Sequence, residues 1–140
     1  KVPRIDFFLL HNPEYFLKAT KNPEKFYLKI KEAFLFLEES VQKGFIRYYG
    51  VSSNTLNENE EESSFCSLQK LVEQAESISK EHHFAMIQCP LNLYESGAVF
   101  EKNNNEKKSL LGFYFRCGSL LCFFARSFFL WASRAFKRRW

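Results

Sequence analysis

Short apolar runs alternate with longer helical patterns in the first two thirds of the chain. The runs are residues 5–10 (IDFFLL), 46–51 (IRYYGV) and 84–89 (FAMIQC). Near-continuous apolar runs of this length are typical of strands buried on both faces, as in parallel sheets. Between them, apolar side chains recur at helical spacing over residues 23–43 and 65–80. The order strand, helix, strand, helix, strand predicts parallel strands joined by crossover helices.

Local signals set the limits of the first long helix. Asn22 is suited to cap it, Pro23 is favoured at the first helical position, and Gly44 is suited to end it. Before this helix, the stretch HNPEYFLKATKNPEK contains two Asn-Pro turn signals and predicts a polar loop. After the second strand, the acidic stretch NTLNENEEESS has no periodicity and predicts a solvated loop.

Three strands are too few for a closed parallel barrel, which needs eight strands and about 250 residues. A chain of 140 residues forms one domain at most. The predicted fold class is therefore α/β, a partial (β/α)8 TIM barrel of about three parallel strands with crossover helices. We assign this incomplete barrel to residues 1–108. Residues 109–140 form a second region, a basic, Phe-rich tail that we expect to be helical or irregular.

The tail differs from the rest of the chain in charge. It carries six basic residues and no acid, so residues 1–108 have a net negative charge although the whole chain is at +4. Because the basicity is confined to the tail, the chain is not predicted to bind nucleic acid. Three readings of residues 109–140 stay open: a segment that contacts a membrane surface, a segment that binds a partner, and sequence with no selected role.

The tail is not predicted to cross a membrane. Arg116 and Arg126 flank its longest uninterrupted apolar stretch, residues 117–125, whereas a spanning helix needs about 20 apolar residues.

The cysteines indicate the compartment. The chain has four, with no CxxC pair, a pattern that favours reduced thiols in the cytosol over a disulfide framework or a zinc site. We therefore expect a cytoplasmic protein without a metal centre. His82 and His83 follow the second helix, where positive charge suits the helix dipole, and are predicted to be surface or capping residues.

Polar side chains follow the three predicted strands. In parallel α/β barrels, functional groups lie at the carboxyl ends of the strands and in the loops after them. This rule selects His11, then Ser52, Ser53 and Asn54, and finally Gln88. Hydroxyls and carboxamides supply both donors and acceptors, which suits a ligand that carries a carboxamide. An imidazole can orient or polarise a carbonyl group by hydrogen bonding.

Three motifs then carry a resemblance. The stretches IDFFLLHNPE, LEESVQKGFIRYYGVSSNT and IQCPLNLYESGA resemble consecutive signature regions of the aldo-keto reductases, which are NADP-dependent (β/α)8 barrels that reduce carbonyls to alcohols. The resemblance implies that His11 is the active-site histidine. It also implies that Ser52, Ser53 and Gln88 bind the nicotinamide carboxamide of NADPH, with Asn54 replacing the usual asparagine one residue later. The substrate of the complete enzyme would be a small-molecule carbonyl.

The same resemblance implies that the chain is incomplete for catalysis. The family uses an aspartate, a tyrosine, a lysine and a histidine, and of these only His11 falls within the matching stretches. We therefore expect a truncated carbonyl reductase that is inactive by itself. The alternative function is a non-catalytic interaction or membrane-associated piece of the same fold.

Overall fold

A five-stranded sheet forms the centre of the molecule. The computed structural model describes residues 4–92, 94–104, 108–117, 120–124 and 129–132. The strands are β1 (Ile5–His11), β2 (Ile46–Ser52), β3 (Phe84–Pro90), β4 (Leu120–Phe124) and β5 (Phe129–Ala132). Their spatial order follows the chain order; β1 to β4 are parallel, and β5 runs antiparallel to β4.

The helices lie between and after these strands. They are α1 (Glu14–Thr20), α2 (Pro23–Gln42), α3 (Leu68–Ile78), α4 (Gly97–Phe100) and α5 (Leu110–Cys117). The predicted alternation of parallel strands with helices is thus confirmed, and it corresponds to part of a (β/α)8 barrel.

The predicted limits of α2 are confirmed in detail. The Asn22 side chain accepts a hydrogen bond from the backbone nitrogen of Lys25 at 2.9 Å, and Pro23 is the first helical residue. Gly44 follows the helix with φ 74°, in the left-handed region that glycine adopts without steric cost.

The prediction of a loop before α2 was wrong in part, because residues 14–20 form α1. Pro13 precedes this helix with φ −62°, so the first Asn-Pro pair marks a helix start rather than an irregular loop. Leu17 is buried, so α1 packs against the core through this apolar side chain. Lys21 ends the helix in the left-handed region at φ 49°.

The tail is helical at its start, as expected, since α5 begins at Leu110 and buries that side chain in the core. Strands β4 and β5 were not predicted. They extend the sheet beyond β3. The remaining tail positions, residues 118–119, 125–128 and 133–140, lie outside the described residues.

The core lies between the sheet and the helices α2 and α3. The rings of Phe34 and Tyr49 have centroids 5.0 Å apart, and those of Phe34 and Phe84 are 5.1 Å apart. These three residues come from α2, β2 and β3, and Leu71 and Ala75 of α3 complete the same cluster. Burial of aromatic rings from three elements fixes α2 across β2 and β3.

His83 is partly exposed, in keeping with its predicted surface or capping position, and it also contacts α2. Its ring Nδ1 lies 2.8 Å from Oε2 of Glu38, and its backbone nitrogen donates to Glu38 Oε1 at 2.7 Å. The Tyr49 hydroxyl donates to the same Oε1 at 2.9 Å. Burial raises the pKa of the Glu38 carboxyl, but the hydrogen bonds from His83 and Tyr49 outweigh it and hold that pKa below its ordinary value. His82 is half-buried, and burial lowers its pKa.

Among the residues described above, no helix combines the length and the apolar character that crossing a membrane requires.

Candidate functional site

His11, Ser52 and Gln88 occupy one level of the sheet. In the parallel register His11 pairs with Ser52, and Ser52 pairs with Gln88. Neighbouring strands lie about 4.8 Å apart, so three strands bring these side chains within reach of a single small ligand. His11 and Ser52 are the last residues of their strands, and Gln88 is two residues before the end of β3. All three lie at the carboxyl edge, where a parallel barrel places its functional groups.

A cleft of about 230 Å³ opens at this edge. Its lining contains all five residues selected from the sequence, together with three others: His11, Asn12, Ser52, Ser53, Asn54, Gln88, Cys89 and Pro90. The volume lies below the range of about 300–1,000 Å³ that is usual for drug-sized ligands. It therefore suits one end of a ligand, such as a ring with its carboxamide.

The side chains at this level differ in what they can offer a ligand. Within the described part of the chain, no hydrogen bond engages the side chains of His11, Ser52 or Gln88. Ser53 is different, because its hydroxyl lies 3.3 Å from that of Thr55 and accepts from the Thr55 backbone nitrogen at 3.2 Å. His11, Ser52 and Gln88 thus offer a ligand an imidazole, one hydroxyl and one carboxamide.

Asn54 lines the cleft, and its side-chain NH2 group is hydrogen-bonded to two residues that follow β1. Its Nδ2 donates to Asn12 Oδ1 at 3.2 Å and to Glu14 Oε1 at 3.4 Å. Its backbone nitrogen also donates to Glu14 Oε1, at 3.1 Å. The predicted shift of the asparagine by one residue therefore places a carboxamide on the wall of the cleft.

Sequence reasoning missed Asn12 and Glu14. Asn12 adopts φ 51°, a left-handed conformation that asparagine tolerates better than most residues, and its backbone nitrogen donates to the Ser52 carbonyl at 2.7 Å. Glu14 is fully buried at the start of α1. Both follow β1 directly, so the rule that selected His11 also covers them; their chemical types gave no separate signal.

The absence of a side chain at Gly50 allows β2 and β3 to pack closely enough for Ser52 and Gln88 to lie side by side. A Cβ atom at position 50 would lie 1.9 Å from the carbonyl oxygen of Met86 and 2.7 Å from its carbon. The register between β2 and β3 shifts between Tyr49 and Gly50. Only a residue without a side chain permits this approach, which brings Gln88 level with Ser52.

A second, larger cleft of about 470 Å³ lies elsewhere, between the first residues of α2, those of α3, and Asn103 and Asn104. None of the predicted site residues lines it. Within the described ranges, histidine, cysteine, aspartate and glutamate form no group that could hold a metal ion.

Comparison with known proteins gives the family. The model of the aldo/keto reductase family matches residues 1–114, which is most of the chain. The chain therefore belongs to the aldo/keto reductase family and has an oxidoreductase-type fold. Members generally use NAD(P)H and act on small carbonyl substrates. No curated protein and no solved structure matches the chain.

Proposed function

We propose that this chain provides the part of an NAD(P)H-dependent carbonyl reductase that binds the nicotinamide carboxamide and orients the carbonyl substrate. One observation carries the proposal: His11, Ser52 and Gln88 lie level on three adjacent parallel strands, line one cleft, and form no side-chain hydrogen bond within the described part of the chain. Polar side chains left unpaired together in a cleft suit a polar ligand.

The donor set fits a carboxamide. Gln88 offers both N–H donors and a carbonyl acceptor, and the Ser52 hydroxyl can act in either sense. Asn54 adds a further carboxamide at the wall, and Ser53 contributes mainly by holding the loop in place through Thr55. NADPH, the cofactor favoured by the family resemblance, would supply a hydride to the carbonyl carbon when bound.

His11 has a separate role in the proposal. It lies next to Ser52 and lines the cleft, so its imidazole can donate a hydrogen bond to a carbonyl oxygen placed beside the carboxamide site. Such a bond would orient the carbonyl and polarise it. His11 is therefore proposed to act on the substrate, and Ser52, Asn54 and Gln88 on the cofactor.

The proposal separates binding from turnover. General acid–base catalysis is typically worth about 10²–10⁴-fold, and the family resemblance assigns the proton donor to a tyrosine outside the matching stretches. We therefore expect the 140-residue chain to bind NADPH without oxidising it in the presence of an aldehyde. A cytoplasmic location is proposed with this function, and the free, buried thiol of Cys66 is consistent with a reducing compartment.

Titration of NADPH fluorescence tests the binding proposal. The Gln88→Ala variant should bind NADPH about tenfold more weakly than the wild type, because a carboxamide partner in the cleft is lost. Gln74→Ala is the matched control, since Gln74 lies on α3 and does not line the cleft; it should bind as the wild type does. Absence of binding by the wild type, or equal dissociation constants for the two variants, would contradict the proposal.

A further inference from the structure

Glu14 is a buried carboxylate with half of its hydrogen-bonding capacity unused. Its side chain is fully buried, and Oε1 accepts from both the backbone nitrogen and Nδ2 of Asn54. Oε2 has no hydrogen-bond partner in the part of the chain that the structure describes. A buried carboxylate is costly unless it is well paired, so a role beyond packing is indicated.

The contacts of Glu14 determine which way the Asn54 amide points. A backbone N–H can only donate, so Glu14 Oε1, which receives the N–H of Asn54 at 3.1 Å, is an acceptor. The end of the Asn54 side chain that faces the same oxygen must then be its NH2 group. The two N–H bonds of that group are both used, one by Glu14 and one by Asn12 Oδ1. The carbonyl oxygen of Asn54 has no hydrogen-bond partner among the described residues, and Asn54 lines the cleft.

We propose that Glu14 is a positioning residue that fixes the Asn54 amide so that its oxygen presents a hydrogen-bond acceptor to the cleft. Asn12 assists as the second acceptor of the NH2 group. An acceptor at this wall selects a ligand that carries an N–H donor, such as a primary carboxamide, over one that carries an acetyl group or a carboxylate. The identity of the ligand rests on the proposed function, whereas the orientation of Asn54 does not.

The first test measures the orientation without any ligand. Nuclear magnetic resonance of the 15N-labelled full chain follows the side-chain NH2 signals of Asn54, assigned with an Asn54→Ala variant. In Glu14→Met, which removes the acceptor but keeps an unbranched side chain of similar length, these signals should shift and their protons should exchange faster with solvent. Glu14→Gln retains an acceptor oxygen and should restore most of the wild-type signal.

Glu24→Met is the matched control, because Glu24 lies in the first turn of α2 as Glu14 does in α1, but is exposed. Its Asn54 signals should equal those of the wild type. Unchanged Asn54 signals in Glu14→Met would overturn the proposal, whatever the chain binds. Should Glu14→Met not fold, Asn12→Gly removes the other acceptor while keeping the positive φ, and should produce the same kind of change.

The second test measures selectivity. The wild type should bind NADPH about tenfold more tightly than its acetylpyridine analogue, in which an acetyl group without N–H donors replaces the carboxamide. Glu14→Met should lose this preference, and Glu14→Gln should keep it. A preference that survives in Glu14→Met would overturn the selective role of Glu14. Failure of the wild type to bind NADPH would instead refute the proposed function, and the resonance test would still decide the orientation of Asn54.

Discussion

A side chain at position 50 would collide with the neighbouring strand rather than with a flexible group. Its Cβ would approach the carbonyl oxygen of Met86 to 1.9 Å, and that oxygen belongs to the backbone of β3. Strands β2 and β3 would have to separate, and the level shared by Ser52 and Gln88 would be lost with them. Gly50, which lies within β2, therefore has a spatial role as well as a place in a motif.

We expect Gly50→Ala to destabilise the chain by about 3 kcal/mol or more, since overpacking against backbone has no side-chain relaxation available. Urea unfolding followed by circular dichroism measures the change. Gly112→Ala is the control, because a Cβ there would meet its nearest neighbours only at 3.6 Å. Gly112 lies within α5, so alanine should stabilise by about 0.5–1 kcal/mol. Similar effects of the two substitutions would contradict the close approach at Gly50.

At the scale of single residues, the sequence predicted which polar groups lie at the carboxyl edge but not how they are held. His11, Ser52 and Gln88 could be selected because parallel strands end at one edge, a property of topology alone. Glu14 could not, because its burial depends on where α1 packs, and the sequence predicts a loop in place of that helix. The contact between Glu14 and Asn54 joins residues far apart in the chain, which no local pattern records.

At the scale of secondary-structure elements, one carboxylate joins three of them. Glu38 on α2 accepts hydrogen bonds from Tyr49 on β2 and from His83, which immediately precedes β3. These bonds stabilise the ionised form and lower the pKa of Glu38 despite its burial. The desolvated, hydrogen-bonded Tyr49 hydroxyl has a raised pKa and stays protonated at neutral pH. The contact of α2 with β2 and with the residue before β3 therefore depends on the negative charge of Glu38.

This arrangement predicts a dependence of stability on pH. Because the folded-state pKa of Glu38 is lowered, its stabilising contribution is fully present above 4.5, the ordinary value, and is lost as the pH falls through the folded-state pKa. Glu38→Gln should lower the free energy of unfolding at pH 7 by about 1.5–3 kcal/mol and lack this acid-dependent loss. Urea unfolding at a series of pH values provides the measurement.

Glu39→Gln is the control for this prediction. Glu39 is the next residue of α2, and its 3.5 Å ion pair with Lys43 is exposed. Surface pairs of this kind contribute about 0–1 kcal/mol, so the variant should retain the wild-type pH profile. Identical profiles for the Glu38 and Glu39 variants would show that the carboxylate of Glu38 does not join the elements.

The secondary-structure elements were predictable where the pattern of apolar residues agreed with the polar and capping residues at its ends. Strands β1, β2 and β3 are apolar runs bounded by polar residues, and α2 has both an apolar stripe and its capping signals. Helix α1 was not predicted because Asn-Pro is a turn signal as well as a helix start, since proline is equally suited to a first helical turn. Strands β4 and β5 were missed because the Phe-dense tail has neither strand alternation nor helical spacing over a sufficient length.

At the scale of the whole molecule, the sheet presents an apolar edge. Among the described strands, β1 pairs on one side only, with β2, and its Ile5 and Phe8 are 49% and 40% exposed. A strand with unpaired backbone groups and apolar side chains is a site for association with other chains. The addition of β4 covers the corresponding edge of β3.

The division of the chain into two regions at residue 108 stays a prediction.

We expect the 140-residue chain to self-associate through β1, and a charge on that strand to reduce the association. Phe8→Lys should increase the monomer fraction several-fold in sedimentation velocity over a range of concentrations, since charged residues oppose edge-to-edge pairing. Tyr94→Lys removes an aromatic residue that is 99% exposed and belongs to no strand, and should leave the association unchanged. A wild type that is monomeric throughout, or equal effects of both variants, would contradict the expectation.

The common level of His11, Ser52 and Gln88 also has a consequence for the order of events during folding. Two helices separate His11 from Ser52 and one separates Ser52 from Gln88, so none of their mutual distances is set by neighbouring residues in the chain. Closing such long loops costs entropy before the strand pairs reward it, and contacts of this kind form slowly. Helices α2 and α3 can begin to form before the cleft exists. A molecule that recognises the cleft would therefore bind only chains in which both helix-strand units have docked, and would favour that final state by mass action.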